Sequence, residues 1–220
     1  MEALKDLKAE VVDDAAAILP GTTRYLVAAS IMTTPKFLRA CCFVPHIVTA
    51  DYVRQSRTAG RWLAIDPKSS HIPGWQHRDR PMDGLERFDL HRSLLARRAL
   101  PSNPLAAAPP FFVMPVWARP EGEETARVIS DAIVWAGGRV RASVRDVEPG
   151  DLIICAEELT PPPGAPLALH KSLIAIRNRD CFTIYKRQLV TLSIVNQSVT
   201  DLLKVTYAED ISALSAFKKK

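Results

Sequence analysis

No stretch of this chain stays apolar for the roughly 18 residues that a membrane-spanning helix needs. Its four cysteines (Cys41, Cys42, Cys155 and Cys181) lie in or beside apolar segments without C-x-x-C spacing. That placement argues for buried reduced thiols rather than disulfides or zinc. His71 and His77 flank IPGWQ, but no further ligands stand at fixed spacing, so no metal site is expected. Neither G-x-x-x-x-G-K-S/T nor G-x-G-x-x-G occurs, and Gly137-Gly138 reads as a turn, not a phosphate loop. No Ser/His/Asp or Cys/His arrangement stands at a recognisable elbow. Glu157 and Glu158, adjacent on a loop, are expected to point apart into solvent instead of forming a catalytic carboxylate pair. Neither catalysis nor a cofactor is expected.

What is present is a folded composition, 47% hydrophobic and 24% charged. The amino terminus, MEALKDLKAEVVDD, is charged and helical in character, unlike a secretory leader. A net charge of +5 is compatible with DNA or with an acidic or phosphorylated partner. The basic residues are dispersed, however, with only Arg97-Arg98 and Lys218-Lys219-Lys220 as runs, and such runs are usually solvated surface.

The chain also repeats itself. KAEVV (8–12), RYLVAAS (24–30), PKFLRACC (35–42) and PHIVTADYVRQSRTAGR (45–61) return as GGRVRASV (137–144), DLIICAE (151–157), HKSLIAIR (170–177) and FTIYKRQLVTLSIVNQ (182–197). Val11 to Leu26 is 15 residues and Val140 to Ile153 is 13; Lys36 to Val48 is 12 and Lys171 to Ile184 is 13. One small α/β unit used twice is the reading, with function expected where the two copies meet.

Local signals place the elements. Leu4 and Leu7 end a helix that leads into a strand at Val11-Val12, and TRYLVAAS is a second strand. Thr34 can cap a helix, Pro35 suits its first position, and Phe37, Leu38, Cys41 and Cys42 form its apolar stripe. PHIVT is a strand, and Ala50–Thr58 a helix stopped by Gly60. Between about Ser69 and Pro110, Pro, Arg and small residues mark a linker, with an amphipathic helix over 84–99 carrying Leu85, Phe88, Leu94 and Leu95. Strands are then predicted at 111–116, 139–144, 151–156 and 182–185, with helices at 121–136, 168–177 and 187–197 and a helical tail after them.

These elements, in this order, resemble a BRCT domain, and the whole chain resembles a tandem BRCT pair. LKDLKAEVVDD and IVWAGGRV are similar to the family's helix-to-strand passage. IVTADYVRQSRTAGRWL is similar to its last strand and helix, with Tyr52 where the family usually has Trp. LERFDLHRSLLARRA resembles the stretch that follows the first repeat in checkpoint-mediator proteins.

The resemblance implies an α/β fold of two repeats, each a small parallel four-stranded sheet flanked by helices. Their expected extents are 1–66 and 110–205, joined by a linker over 67–109 and followed by a tail over 206–220. The family's first strand would precede Leu4, so the first repeat is expected to be amino-terminally incomplete and three-stranded.

The resemblance further implies a non-catalytic, nuclear module that binds a phosphorylated Ser or Thr in a partner's tail, in DNA-damage signalling or chromosome segregation. A monomer is expected, without a membrane. Thr34 and Lys36 match the family's phosphate-holding Thr-x-Lys pair. Thr33 stands where an Arg commonly grips the peptide, and Arg187 is the replacement cation. Leu38, Ala132 and Thr191 are expected to line a side-chain pocket. In the second repeat Leu169 replaces Thr34, and Met114-Pro115 replaces the hydroxyl-Gly pair of the first strand. Any phosphate pocket is therefore expected in the first repeat. Two alternatives remain open: a kinetochore or repair scaffold with a degenerate pocket, and DNA or chromatin binding through the basic surface.

Overall fold

The computed structural model describes residues 6–11, 17–32, 34–66, 69–74, 90–99, 103–159, 168–177 and 182–197. The chain divides into two compact units, Met1–Pro101 with Val195–Gln197, and Ser102–Ile194 with Ser198–Lys220.

The first unit runs β1 (Tyr25–Val27), α1 (Pro35–Phe43), β2 (His46–Val48), α2 (Ala50–Thr58) and α3 (Leu90–Ala99). β1 and β2 pair in parallel, with Tyr25 opposite His46 and Val27 opposite Val48. Parallel neighbours need a crossover, and α1 supplies it. Phe37, Leu38, Ala40, Cys41 and Cys42 form the buried face of α1, at the spacing of one helical stripe. Thr49 caps α2 by accepting from Tyr52 N at 3.4 Å, and the chain leaves that helix through Gly60 at φ 64°.

Tyr52 is fully buried, and its hydroxyl donates to Leu63 O at 2.8 Å. Around it stand Tyr25, Trp62 and His71, with Tyr25 and Trp62 stacked at 4.5 Å. His71 is buried; its Nδ1 accepts from Asp66 N at 3.3 Å and its Nε2 lies 2.8 Å from Gln55 Oε1, which is a packing role. His77 lies outside the described residues. In α3, Leu90 and Leu94 are buried one turn apart and Leu95 is exposed; residues 84–89 of the predicted helix lie outside the described residues.

The second unit runs β3 (Phe111–Met114), α4 (Pro120–Trp135), a 3-10 turn (Val144–Asp146), β4 (Leu152–Cys155), α5 (Lys171–Arg177), β5 (Ile184–Lys186) and α6 (Gln188–Asn196). Its sheet is parallel, in the order β3-β4-β5. All four residues of the central β4 are buried, as expected of a parallel strand covered on both faces. Met114, Trp117, Ile153, Cys155, Leu173 and Ile184 share one core. In α4, Ala126, Ile129, Ala132 and Ile133 turn inward. Cys41, Cys42 and Cys155 are free and buried, and Cys181 lies outside the described residues.

The architecture is the expected α/β one of small parallel sheets flanked by helices, but each sheet is one strand shorter among the described residues. In the first unit residues 8–11 form no strand: Lys8 sits at φ 53°, which interrupts an extended backbone. Val12 lies outside the described residues. In the second unit the strand predicted over 139–144 reduces to a single parallel bridge, Phe111 to Val140. Arg141 N still donates to Phe111 O at 2.7 Å. Its guanidinium, however, is drawn to Asp151 at 2.9 Å and to Glu148 at 2.8 Å. Ser143 then caps the 3-10 turn, so pairing ends after one residue. Burial alone would raise the Asp151 carboxyl, but the Arg141 guanidinium and the Glu148 N–H together outweigh it and hold the group below its ordinary value.

Among the described residues no helix is long and apolar enough to cross a membrane, and no three His, Cys, Asp or Glu side chains are grouped to hold a metal ion.

Candidate functional site

The start of α1 brings two of the predicted residues together. Thr34 is the N-cap, exposed and extended (φ −70°, ψ 152°), and its Oγ1 accepts from Phe37 N at 3.4 Å. A capping hydroxyl spends a lone pair and keeps its O–H as a donor, so capping and anion contact are compatible. Pro35 contributes no N–H, and Lys36, half-buried, is the second helical residue. The first turn holds no acidic residue, which leaves the positive end of the helix dipole uncompensated by a side chain there. A hydroxyl, an ammonium group and a helix terminus therefore sit within one turn, the chemistry an oxyanion needs. Ser30, on the approach to this turn, is 3% exposed, and its buried hydroxyl has no hydrogen-bond partner. Nothing in the sequence had singled it out.

Thr33 lies outside the described residues. Leu38 and Ala132 are fully buried and Thr191 is 4% exposed, with its hydroxyl donating to Gln188 O at 3.4 Å, so all three serve packing. Arg187 is exposed in the second unit, where its carbonyl receives Val190 N and Thr191 N at the start of α6.

The matching helix start in the second unit is built differently. Leu169 is engaged in a bridge with Trp117. His170 is buried; its Nδ1 accepts from Ser172 N at 3.2 Å and its Nε2 lies 3.7 Å from Glu123 Oε1. The expectation that Glu157 points into solvent is also wrong. Glu157 is 7% exposed, and its carboxylate accepts from Val116 N at 3.1 Å, Trp117 N at 3.2 Å and Arg119 Nε at 2.9 Å. Those three donors are worth more to a buried carboxylate than exposure, which sequence adjacency to Glu158 does not reveal. Gly122 in the first turn of α4 leaves the room for it: an added Cβ would come within 2.5 Å of Glu157 Oε2.

The family of BRCT domains described for Regulator of Ty1 transposition protein 107 matches residues 1–68. Over nearly the whole chain the fold is similar to that of Rtt107p in its complex with a phosphorylated histone. That match has a TM-score of 0.53 and 15% identity, covering 94% of this chain and 84% of that one. The BRCT5-BRCT6 domains of S. pombe Brc1 match at TM-score 0.53 and 14% identity, covering 90% and 87%.

Residues 1–68 match a BRCT family, and the fold of the chain is that of a tandem BRCT pair.

Rtt107p residues 820–1070 match as well, at TM-score 0.53 and 14% identity, covering 93% of this chain and 83% of that one. No curated protein matches the sequence. At such identities the structural likeness is one of fold, and the family is in general one of non-catalytic interaction modules. Within the BRCT pair, β1-α1-β2-α2 of the first repeat corresponds to β4-α5-β5-α6 of the second, and the two parallel registers align Tyr25 with Ile153 and Val27 with Cys155.

Proposed function

We propose that this BRCT pair is a non-catalytic adaptor that binds phosphoserine or phosphothreonine in a partner's tail, with Thr34 and Lys36 holding the phosphate. One observation carries the reading: an exposed capping hydroxyl and a lysine share the first turn of α1. A phosphate there would take the Thr34 O–H, the Lys36 ammonium and the dipole of a nine-residue helix. The solved complex of Rtt107p with a phosphorylated histone supports a phosphorylated tail as the ligand class. A monomer in the nucleus, serving DNA-damage signalling or chromosome segregation, follows from this reading.

The test is fluorescence polarisation with a phosphorylated histone tail peptide, a phosphopeptide library and their unphosphorylated twins. Phosphorylated peptides should bind and the twins should not. Equal binding of both would end the phosphate reading and favour a scaffold with a degenerate pocket. A steep loss of DNA affinity with salt would instead support binding through the basic surface.

A further inference from the structure

In the second repeat the chain folds a carboxylate of its own into a place built for an anion. Three donors converge on Glu157: the main-chain amides of Val116 and Trp117 on Oε2, at 3.1 and 3.2 Å, and the Arg119 guanidinium on Oε1, at 2.9 Å from Nε and 2.5 Å from Nη2. The Glu157 side chain is 8% exposed and that of Arg119 31%, so the pair is largely withdrawn from water. Successive main-chain N–H groups pointing into one concavity form an anion nest, and a guanidinium fork completes it. Gly122 leaves the room: a Cβ there would come within 2.5 Å of Oε2 and 3.0 Å of Cδ. Trp117 Nε1 also donates to Glu158 O at 3.2 Å, tying the loop after β4 to the turn after β3.

The first repeat has no such group at the corresponding place. Two residues beyond the last paired residue of the strand stands Glu157 after Cys155, and Ala29 after Val27. The acidic plug therefore belongs to the second copy alone.

We propose that the turn between β3 and α4 is an oxyanion nest and that Glu157 is its permanent internal ligand, closing the second repeat to phosphate. Vacating it would convert this turn into a site for a small carboxylate or a phosphate ion. The proposal does not depend on whether the first repeat binds phosphopeptides, because every group in it lies on residues 116–157.

Thermal unfolding of the full chain tests it, comparing wild type, Glu157→Ala and the double variant Glu157→Ala/Arg119→Ala in chloride, acetate and phosphate at matched ionic strength. Glu157→Ala should melt lower than wild type in chloride and recover by about 4 °C or more in acetate or phosphate, because a ligand held only by the native state raises its stability. Wild type should respond equally to all three salts, and the double variant should not recover. If Glu157→Ala is unfolded in chloride, refolding in phosphate but not in chloride supports the nest, and refolding in neither overturns it. An equal response of wild type and Glu157→Ala to phosphate also overturns it, as does recovery of the double variant. Glu157→Gln, whose amide oxygen still fills the space, should show no phosphate dependence; a response equal to that of Glu157→Ala would remove the plug from the argument.

Discussion

The two copies of one fold are built differently at the places where an anion would be held. At the start of α1, Thr34 is exposed, Lys36 follows two residues later, and no acid stands in the first turn. At the start of α5, Lys171 holds the place of Lys36, but Leu169 is engaged in a bridge to Trp117 and His170 is buried beside Glu123. Where the first copy has Ala29, the second has Glu157, already bonded to two amides and an arginine. A lysine at matching positions is therefore not a matching site. What differs is the surroundings: in the second copy the amides and the guanidinium are already satisfied by Glu157 from within.

The largest expected effect breaks this comparison most directly. Lys36→Glu should abolish measurable phosphopeptide binding, because a charge-assisted lysine–phosphate contact contributes about 1.5–3 kcal/mol and the reversal adds repulsion. Lys171→Glu, the same change in the second copy, should leave affinity unchanged in fluorescence polarisation. Equal losses at both positions would mean that the copies are not specialised.

Glu157→Ala should cost about 2–4 kcal/mol in urea unfolding, since it strands two amides and a partly buried guanidinium. Ala29→Glu asks the converse and should give the first copy no stability, because no acceptor-hungry nest is described there. Gly122→Ala should cost about 1–3 kcal/mol by pressing a methyl group against Glu157. Combined with Glu157→Ala, most of that cost should vanish, which a double-mutant cycle reads directly.

Alkaline unfolding sharpens the contrast between the cores. Burial, with smaller contributions from Tyr25, pushes the Tyr52 hydroxyl from 10.0 to about 12. Burial, then the charges of Glu157 and Glu158, pushes the Cys155 thiol from 9.0 to about 12. Each group is neutral in the folded state, so its contribution is complete below its unfolded value and is lost as pH rises towards 12. The second copy should therefore begin to weaken near pH 9 and the first near pH 10, resolved by Cys155→Ala and Tyr52→Phe. At the acid end Asp151 is held below its ordinary 3.8, so its contribution is present above that value and disappears as pH falls through the lowered one. Thr34→Ala is the smallest change, about 0.5–1 kcal/mol of helix cap, with a loss of phosphopeptide affinity alongside it.

Much of the fold was legible in the chain. The helix at Ala50–Thr58 has the predicted bounds, and the α1 start combines a predicted cap with a predicted first-position proline, because capping and stop signals act over three or four residues. Strand extent was less legible. GGRVRASV carries a strand-like pattern, yet only Val140 pairs, since the Arg141 side chain finds two carboxylates that are seven and ten residues away. Of the candidate site, Thr34 and Lys36 lie where the pattern put them, but Leu38, Ala132 and Thr191 are packing residues. An apolar residue beside a motif looks the same in a sequence whether it lines a groove or fills a core.

By itself, the order of residues determined the doubled α/β unit and the bounds of the Ala50–Thr58 helix, which arise from periodicity and short-range chemistry, while the Thr-x-Lys pair came from the resemblance to the family. Only the tertiary structure decided that Glu157 turns inward, because its three donors come from residues about forty positions earlier in the chain. A carboxylate's environment is set by who arrives beside it once the strands pair, and that arrival is not written in its neighbours.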